Sequence, residues 1–547
     1  MNEMSPPVTG RASVAVQVLR ALARRGTKRI WGVPGGGSSL DLIAGAEAHG
    51  MRFVLARQET AAGIMALADA ELTGAPGAVL TTKGPGVSNA ANGLATAALE
   101  RAPLVLLSDG FSAAQQEYVT HQFFDQCLAT AAYCKSQGYA RAEGDDAAAE
   151  VGALLDLAMA HPRGAVHLDL TSAASRRLAP DAPEPPAPAP APLPDVAAVA
   201  ALLAKAKRPV VLVGLEAADD AVAGPLRDLV ARLGCPVLST YKGKGAVPSE
   251  DPQHVGLFTG GTLEAACVGA ADLIILAGLD PVELILQPWR YQTPAVELAA
   301  RPFPVHYLTP AAGCYGALDA ALSALMPAAR RSDWTAEEIA GHRAAMEAAL
   351  AWRAEAPVGV APPRIVTIAA EAAAAAGHDP RATVDAGAHM FSATAFWPCR
   401  RPHDLLISNG LATMGFALPA GIAAALHDPG RGAIAFTGDG GLMMCLAELA
   451  TAAEAGARVG TVVFNDGALS LIDIKQQQRQ LPPDGVRWGH ADFAAIAAGM
   501  GVKGLRAADE AGLRDALAQA FAHDGPSLVD VRVDPAGYGA QLQAMRG

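Results

Sequence analysis

The stretch "AFTGDGGLMMCLAELATAAEAGARVGTVVFNDGALSLI", residues 435–472, decides the fold of this chain. A strand-like run breaks at Gly438-Asp439-Gly440, and a helix-like run follows it. A second apolar run, 459–464, breaks at Asn465-Asp466-Gly467. The pattern predicts two strands joined by a helix, with an acidic residue at the end of each strand.

The Gly-Asp-Gly turn predicts a site for a metal and a diphosphate. Its glycines let the backbone approach a ligand closely. Backbone N–H groups at the start of a helix favour phosphate, but the carboxylate of Asp439 repels it unless a cation lies between them. Mg²⁺ fits, because it takes a few protein oxygens together with phosphate oxygens. The alternative is two unrelated Asx turns that cap helices.

Outward from this stretch, the chain alternates short apolar runs with long alanine-rich runs. The apolar runs include "RIWGV", "GAVLTT", "PVVLVG", "DLIILAG", "GAIAFTG" and "GTVVFND". Strands that are apolar throughout and separated by helices indicate parallel sheets covered on both faces. We therefore predict an α/β fold with three doubly wound domains, whose ligands bind beyond the carboxyl ends of the strands.

Two linker-like stretches set the predicted domain boundaries. The first is the proline- and alanine-rich segment 179–195, and the second is the segment 333–363, which contains a charged, alanine-rich helix. They leave a first domain at 1–178, a middle domain at 196–332 and a third domain at 364–547, each of ordinary domain size.

Composition limits the partners. The 547 residues carry a net charge of −12, which disfavours nucleic acid and anionic membranes as partners. No apolar run reaches the roughly 18 residues of a transmembrane helix, and the start of the chain lacks the layout of a signal peptide. The seven cysteines form no CxxC pair, so buried reduced thiols are expected. We predict a cytoplasmic protein.

The pairing of the two acidic turns resembles the motif of thiamine-diphosphate-dependent enzymes. In that family, Gly-Asp-Gly is followed some 24 to 27 residues later by an asparagine, and Asp466 follows Asp439 by 27 positions. The resemblance implies that Mg²⁺ is bound by Asp439, Asp466 and the carbonyl of Ala468. Asn usually occupies the second position, so Asn465, one place earlier, remains an alternative ligand.

Other segments extend this resemblance over the whole chain, as pyrimidine-binding, middle and diphosphate-binding domains. In "RQETAAG" it implies that Glu59 protonates the pyrimidine ring of thiamine diphosphate, whereas a helix-capping carboxylate is the alternative. "WGVPGGGSSLDLI", "TTKGPGVSNAANG", "DAGAHMFSA" and "SNGLATMGFALPAG" match the acetolactate-synthase-like pattern. The cofactor-binding residues that it implies are Gly36, Pro85, Asn89, Ala388, His389, Ala412, Met414, Gly438, Asp439, Gly440 and Leu471.

The resemblance also predicts roles and assembly. Met414 would bend the cofactor, and the backbone of Ala412 and Met414 would hold its aminopyrimidine. In this family the pyrimidine domain of one subunit faces the diphosphate domain of another, so Glu59 and Asp439 of one chain would serve different sites. A homodimer or homotetramer is therefore expected.

The substrate pocket is predicted from local patterns. "THQFFDQ" places His121 and Gln122 where acetolactate synthases have Phe-Gln, so Gln122 is a candidate to bind a substrate carbonyl. His121 is a candidate to move protons, and a structural histidine is the alternative for it. Lys83 and Lys475 are candidates to bind a substrate carboxylate, and a solvent-directed lysine is the alternative for Lys83.

Ile472 stands where pyruvate decarboxylases have a proton-donating glutamate, which favours carboligation over simple decarboxylation. FAD is a passenger without a redox role in acetolactate synthases. The middle segment shows no clear flavin fingerprint, so FAD is not favoured although it is left open.

These observations predict a thiamine-diphosphate- and Mg²⁺-dependent enzyme that acts on a 2-oxo acid such as pyruvate as a carboligase or decarboxylase. The alternative within enzymes is a carbon–carbon lyase of the benzaldehyde lyase or 2-hydroxyacyl-CoA lyase type, which takes 2-hydroxy ketones or acyl-CoAs. A non-catalytic cofactor-binding homologue is a more remote alternative.

Overall fold

The computed structural model describes residues 10–181, 193–285, 289–304, 307–352 and 358–546. The chain divides into two compact units. The first holds the described residues up to 181 together with 422–427, and the second holds 193–421 and the residues from 428 onward. Most of the predicted linker 179–195 lies outside the described residues. In the described part of the chain, no helix is both long enough and apolar enough to cross a membrane.

The first unit follows the predicted alternation of strands and helices. Its strands are β1 (Arg11–Ser13), β2 (Arg29–Val33), β3 (Arg52–Leu55), β4 (Gly77–Thr81), β5 (Leu104–Asp109), β6 (Cys134–Ala140), β7 (Ala165–Leu170) and β8 (Leu178–Pro180). Its helices are α1 (Val14–Arg24), α2 (Ser38–Ala46), α3 (Glu59–Thr73), α4 (Pro85–Leu99), α5 (Ala113–Gln116), α6 (Gln126–Thr130), α7 (Ala147–Met159) and α8 (Ser172–Arg176).

The main sheet of the first unit is parallel and has the order β3-β2-β4-β5-β7-β6. Every residue of the central strand β4 is buried, because helices cover both faces of the sheet. Helices α3 and α4 meet at a pair of glycines, and a Cβ on Gly63 would lie 2.8 Å from the Cα of Gly93. Only glycine permits this approach, which brings the starts of the two helices close together.

The second unit contains the middle sheet and the third sheet. The middle strands are β9 (Pro209–Val213), β10 (Val237–Ser239), β11 (His254–Leu257), β12 (Leu273–Ala277), β13 (Ala295–Ala299) and β14 (Ala312–Tyr315). The middle helices are α9 (Ala197–Leu203), α10 (Asp220–Leu233), α11 (Ala265–Gly269), α12 (Leu318–Leu325) and α13 (Ala336–Ala349). The sheet order is β11-β10-β9-β12-β13-β14, all parallel.

The helix expected within 333–363 is α13, and it packs on the middle sheet. Ile339 and Met346 of this helix belong to the buried core around the middle strands. This helix therefore contributes to the middle core and is not a free spacer. Residues 353–357 of the same predicted linker lie outside the described part of the chain.

The third sheet carries the stretch that decides the fold. Its strands are β15 (Arg381–Val384), β16 (Leu405–Ile407), β17 (Ala433–Gly438), β18 (Val459–Asn465), β19 (Lys503–Ala507) and β20 (Ser527–Arg532). The accompanying helices are α14 (Pro362–Ala375), α15 (His389–Phe396), α16 (Ala417–His427), α17 (Asp439–Cys445), α18 (Glu448–Ala455), α19 (Ser470–Gln478), α20 (Phe493–Gly499), α21 (Glu510–Phe521) and α22 (Tyr538–Arg546).

The third sheet is also parallel, with the order β16-β15-β17-β18-β20-β19. Strands β17 and β18 are neighbours, with Gly438 opposite Phe464. The Gly-Asp-Gly turn and the Asn-Asp-Gly turn therefore lie side by side at the carboxyl edge. The α/β class with three parallel sheets is confirmed.

Candidate active site

A cavity of about 570 Å³ opens at the carboxyl ends of β15, β16, β17 and β18 in the second unit. The predicted site residues that line it are Ala388, His389, Ala412, Met414, Gly438, Asp439, Gly440, Asp466, Ala468, Leu471, Ile472 and Lys475. Parallel α/β sheets bind ligands at this edge. The structure thus brings together every residue predicted for the third domain except Asn465.

Asp439 joins the two acidic turns. It is buried, and it directly follows β17. Its Oδ2 accepts a hydrogen bond from the backbone N–H of Gly467 at 2.8 Å, and its Oδ1 accepts one from Gly440 at 2.8 Å. A Cβ on Gly467, whose φ is +73°, would lie 2.9 Å from the carbonyl oxygen of Trp488. Glycine is therefore required at this turn.

Asp466 faces the same cavity as Asp439. Its Oδ2 accepts a hydrogen bond from the hydroxyl of Ser470 at 2.6 Å, and its Oδ1 accepts one from the N–H of Ala468 at 3.2 Å. Burial, and then the neighbouring Asp466 carboxylate, raise the pKa of Asp439 to about 7. Burial likewise raises the pKa of Asp466. Two neighbouring carboxylates in one cavity, one buried and one half-buried, favour a cation between them.

The donor set at these turns fits Mg²⁺, which is bound by oxygen and commonly keeps waters and phosphate oxygens as its other ligands. Within the described residues there is no group of three or more His, Cys, Asp or Glu side chains arranged to hold a metal ion. The predicted Mg²⁺ site uses only two carboxylate side chains and the backbone carbonyl of Ala468. It therefore falls outside such groups of three or more side chains.

Asn465 does not line the cavity. Its amide nitrogen donates to Asp530 at 2.8 Å and to the carbonyl of Ala491 at 3.1 Å, and its amide oxygen lies 3.1 Å from Nδ1 of His490. These bonds hold the end of β18 against β20. The geometry thus favours Asp466 over Asn465 as the second ligand, although the assignment remains a prediction.

Two buried side chains in the cavity have unsatisfied polar atoms. Nε2 of His389 and both amide atoms of Asn409 are buried and have no hydrogen-bond partner among the described residues, and both residues line the cavity. His389 stacks on Phe464, with ring centroids 5.1 Å apart. Buried polar groups are normally paired, so these atoms indicate a polar ligand. The cavity therefore fits a diphosphate-bearing heteroaromatic cofactor.

Sequence reasoning missed Asp385, which positions the Met414 loop. Its side chain accepts hydrogen bonds from the N–H groups of Gly415 (3.0 Å) and Phe416 (3.1 Å) and from the hydroxyl of Thr437 (2.9 Å). Burial raises the pKa of Asp385 to about 6. The signal was available in "ATVDAG", where the aspartate directly follows the strand. Asn409 was missed too; it lies in "SNGLATMGFALPAG", but the resemblance assigned no role to its amide.

Helices α19 and α22 contribute apolar side chains and two cations to the cavity. Leu471 and Ile472 lie on α19, and Ile472 is 43% exposed. Lys475 on the same helix and Arg546 on α22 also line the cavity. The guanidinium of Arg546 lies 5.9 Å from the centroid of the Phe391 ring. Neither cation forms an ion pair with a carboxylate of the described residues, so both are available to an anionic ligand.

In the first unit, Glu59 begins α3 and is buried. The Gly63–Gly93 contact between α3 and α4 brings Asn89 beside it. The amide nitrogen of Asn89 donates to Glu59 Oε2 at 3.1 Å, and the hydroxyl of Thr60 donates to the carbonyl of Asn89 at 2.6 Å. The helix-capping alternative does not describe Glu59, because the side chain that caps α3 is Gln58.

The other predicted residues of the first unit lie around the turn at 83–85. A Cβ on Gly84 would lie 2.5 Å from the carbonyl oxygen of Gln122, so this turn contacts the segment that carries Gln122. Nζ of Lys83 lies 4.6 Å from the centroid of the Phe111 ring, and Lys83 is half-buried. The remaining predicted residues of the first unit are all exposed: Gly36, Pro85, His121 and Gln122.

Sequence reasoning also missed a buried polar network at the carboxyl edge of this sheet. Asp109, at the end of β5, accepts hydrogen bonds from Ser38, from the N–H of Ser39 and from the N–H of Gly37. Gln126 accepts from the N–H of Gly84 at 2.7 Å and donates to Asp169 at 2.9 Å. The network fixes the glycine-rich loop before α2 and the turn before α4.

Family models match the chain in three consecutive segments. They are described as the N-terminal TPP binding domain, the central domain and the C-terminal TPP binding domain of thiamine pyrophosphate enzymes, at residues 12–133, 196–325 and 385–531 respectively. Thiamine pyrophosphate is another name for thiamine diphosphate. The last segment begins at Asp385 and includes both acidic turns.

Curated relatives are similar over nearly the whole chain. The acetolactate synthase of Bacillus subtilis is 27% identical over 532 residues, covering 94% of this chain and 92% of its own. The acetolactate synthase isozyme 1 large subunit of Escherichia coli is 26% identical, covering 94% and 93%. A probable 2-ketoarginine decarboxylase, AruI, of Pseudomonas aeruginosa is 28% identical, covering 97% and 95%. The chain therefore belongs to the thiamine pyrophosphate enzymes and is an enzyme of the acetolactate-synthase-like type.

Proposed function

We propose that this enzyme is a Mg²⁺-dependent carboligase that uses thiamine diphosphate to join a 2-oxo acid such as pyruvate to a second carbonyl compound. The observation that carries the proposal is the composition of one cavity. The carboxylates of Asp439 and Asp466 line it together with the apolar side chains of Leu471 and Ile472 on α19. When bound, thiamine diphosphate supplies the carbanion-stabilising chemistry.

Asp439, Asp466 and the carbonyl of Ala468 would hold Mg²⁺, which in turn holds the diphosphate. The raised pKa of Asp439 supports this role, because a cation relieves the repulsion between the two carboxylates. The buried Nε2 of His389 and the amide of Asn409 would pair with polar groups of the bound cofactor. Asp385 keeps the loop with Ala412 and Met414 in place for the aminopyrimidine.

Glu59 would hold a proton at the pyrimidine ring nitrogen. Its burial and its hydrogen bond from Asn89 fix the carboxyl group in one position, which a proton-transfer group needs. Glu59 and Asp439 would serve different active sites, as in the family that the sequence resembles. The smallest competent assembly would then be a homodimer with its active sites at the subunit interface, and a homotetramer is the other arrangement that we expect.

The apolar residues near α19 support carboligation over release of free aldehyde. Ile472 has no proton to donate, and Leu471 beside it would add apolar cover to a substrate bound there. A second carbonyl compound can then react before a proton arrives. His121 and Gln122 are exposed in the first unit and are proposed to meet substrate only once another subunit covers them.

The cations of the cavity favour an anionic substrate. Lys475 and Arg546 line it, and no carboxylate of the described part of the chain pairs with either, so a substrate carboxylate would supply their counter-charge. One relative is named as a probable decarboxylase of 2-ketoarginine, whose side chain is cationic. Two unpaired cations disfavour such a side chain here, whereas the named product of the acetolactate synthases is an anion.

A screen of 2-oxo acids with the Mg²⁺-loaded holoenzyme tests this proposal, with products identified by mass spectrometry. The expected products are a 2-hydroxy acid that carries an acyl group on carbon 2 (an acetohydroxy acid), or a 2-hydroxy ketone, together with CO₂. Aldehyde release from 2-hydroxy ketones or 2-hydroxyacyl-CoAs, with no turnover of any 2-oxo acid, would instead assign a carbon–carbon lyase. Absence of turnover with every substrate would favour a non-catalytic homologue.

A further inference from the structure

The carboxyl edge of the middle sheet is the place where a doubly wound domain binds a dinucleotide. From β9 the chain proceeds to β10 and β11 on one side, and it returns to β12 and β13 on the other. The strand order therefore reverses between β9 and β12. Dinucleotides bind in the crevice at such a reversal, and their phosphates accept hydrogen bonds from the backbone there. Binding of FAD was left undecided by the resemblance, and in a sheet of this kind FAD would bind in this crevice.

The side chain of Glu283 fills this crevice. It is buried and lies in the short 3₁₀ helix Pro281–Glu283 that follows β12. Its Oε2 accepts hydrogen bonds from the N–H of Leu215 at 2.8 Å and from the N–H of Asp280 at 3.1 Å. Its Oε1 accepts one from the hydroxyl of Thr240 at 2.6 Å.

The three donors follow three adjacent strands. Leu215 follows β9, Thr240 follows β10 and Asp280 follows β12, and these strands are neighbours in the sheet. They are the donors that a phosphate at the reversal would use, and one carboxyl group satisfies all of them. Burial raises the pKa of Glu283 to about 8, while the hydrogen bonds from Leu215 and Thr240 act in the opposite direction.

The loops on the two sides of the reversal are also bonded to each other. The N–H of Glu216, after β9, donates to the carbonyl of Gly278, after β12, at 2.9 Å. A Cβ on Gly214 would lie 2.4 Å from the Cα of Leu279 and 2.6 Å from Oε2 of Glu283. Contacts this short are possible only because residue 214 has no side chain, so the crevice is closed at the point where a diphosphate would enter.

Further carboxylates on the same edge oppose an anionic ligand. Oε2 of Glu216 accepts a hydrogen bond from the N–H of Ala300 at 2.8 Å. Glu297 on β13 is buried and accepts from the hydroxyl of Tyr315 at 2.7 Å. The negative charge of such carboxylates disfavours a bound diphosphate nearby. The residues present at this edge therefore do not fit FAD.

We propose that Glu283 replaces a nucleotide in the middle domain, so that this domain is complete without FAD or any other dinucleotide. Its carboxyl group ties the ends of β9, β10 and β12 together as a bound phosphate would. This inference goes beyond the proposed function, because it concerns the middle sheet and needs no turnover to be tested.

The direct test is the flavin content of the full-length protein. The protein is purified with FAD in the buffer, separated from free FAD by gel filtration and denatured, and the released flavin is measured by fluorescence. Melting temperatures are also compared with and without FAD. We expect no stoichiometric flavin and no rise in melting temperature. One FAD per chain, or a saturable rise in melting temperature, would overturn the proposal.

Two variants test the role of Glu283 itself. Glu283→Gln keeps the shape but loses an acceptor, so its melting temperature should fall by about 4–10 °C, and Thr240→Val should show a fall of about 2–4 °C. Exposed Glu337→Gln is the matched control and should leave the melting temperature unchanged. An unchanged melting temperature in both buried variants would contradict the proposal. If Glu283→Gln does not fold, Thr240→Val and the flavin measurement still decide it.

Discussion

The carboxylate of Asp439 accepts a hydrogen bond from the backbone N–H of Gly467 at 2.8 Å, across 28 positions of sequence. This bond holds the two acidic turns in one arrangement, so that Asp439 and Asp466 face the same cavity. The side chain of Asp439 thus has two roles, because it positions the turn that carries Asp466 and is itself part of the site. Replacing Asp439 should therefore affect more than a single ligand oxygen.

Asp439→Asn should abolish tight binding of Mg²⁺ and thiamine diphosphate while leaving the fold intact. The amide keeps an oxygen for the N–H of Gly467 but removes the charge that binds the cation. We expect affinity for the Mg²⁺–cofactor pair to fall at least about 100-fold, since residues outside the metal's own ligands already contribute about 10–100-fold. Calorimetric titration measures this. Tight binding of the cofactor by the wild-type protein without a divalent cation would contradict the metal assignment.

The choice between Asp466 and Asn465 as metal ligand is tested by a pair of alanine variants. Asp466→Ala should lose Mg²⁺ affinity to a similar extent as Asp439→Asn with little change in melting temperature. Asn465→Ala should lower the melting temperature, because it leaves Asp530 without its amide partner, yet it should retain most of the Mg²⁺ affinity. The reverse result, with affinity lost only in Asn465→Ala, would move the ligand one position earlier.

Part of the site was predictable because it follows simple strand-end chemistry. "GAIAFTG" and "GTVVFND" are apolar runs that end in an acidic turn, and in a parallel sheet their carboxyl ends share an edge. That reasoning locates Asp439 and Asp466 from the amino-acid sequence alone. The same reasoning places Asp385 directly after β15, but it does not show that this side chain holds the distant loop at Gly415 and Phe416. It does not single out Asn409 at all.

Some strands were also hard to predict. Strand β7, "AVHLDL", carries His167 and Asp169, which look polar in the sequence but are buried in a hydrogen-bonded network. Strand β16 has only three residues, which is too short for a periodic signal. The burial of Glu283 was hard to predict for the same reason, because a glutamate that follows a strand is usually exposed to solvent.

Glu59→Gln should retain cofactor binding but slow exchange of the thiazolium proton of bound thiamine diphosphate. The amide cannot exchange a proton with the pyrimidine nitrogen, and positioned acid–base groups contribute about 10²–10⁴-fold. Deuterium exchange followed by NMR measures the rate, and exposed Glu337→Gln is the control. Exchange at the wild-type rate would remove Glu59 from the mechanism.

Stability should decrease as the pH falls below about 6.5, in part because of His167. This residue is fully buried between the hydroxyls of Ser108 (2.7 Å) and Thr130 (3.0 Å), and burial lowers its pKa to about 3. The unfolded chain, with a histidine pKa of about 6.5, therefore binds more protons than the folded chain between these two values.

Stability therefore falls as the pH falls. The contribution of the neutral buried histidine is fully present above the pKa of the unfolded chain, and it is lost as the pH falls toward the pKa of the folded chain. One such group lowers the free energy of unfolding by about 1.4 kcal/mol per pH unit within this window. His167→Gln should be less stable at pH 7 but should lose less stability between pH 6.5 and 5. Denaturant unfolding at several pH values measures this, with half-exposed His523→Gln as the control. Equal slopes for His167→Gln and wild type would contradict the prediction.

Ile472→Glu should shift the products from carboligation toward free aldehyde. Ile472 lines the cavity and is 43% exposed, so a glutamate there reaches the same space without being forced into the core. A positioned acid contributes about 10²–10⁴-fold to proton transfer, and we expect the ratio of aldehyde to ligated product to rise by about tenfold or more. Ile472→Leu keeps the apolar volume and should preserve the wild-type ratio. Product ratios from one 2-oxo acid, measured by mass spectrometry, decide the matter. If the wild-type enzyme itself released mainly aldehyde, carboligation would be excluded, while the assignment of the cofactor would stand.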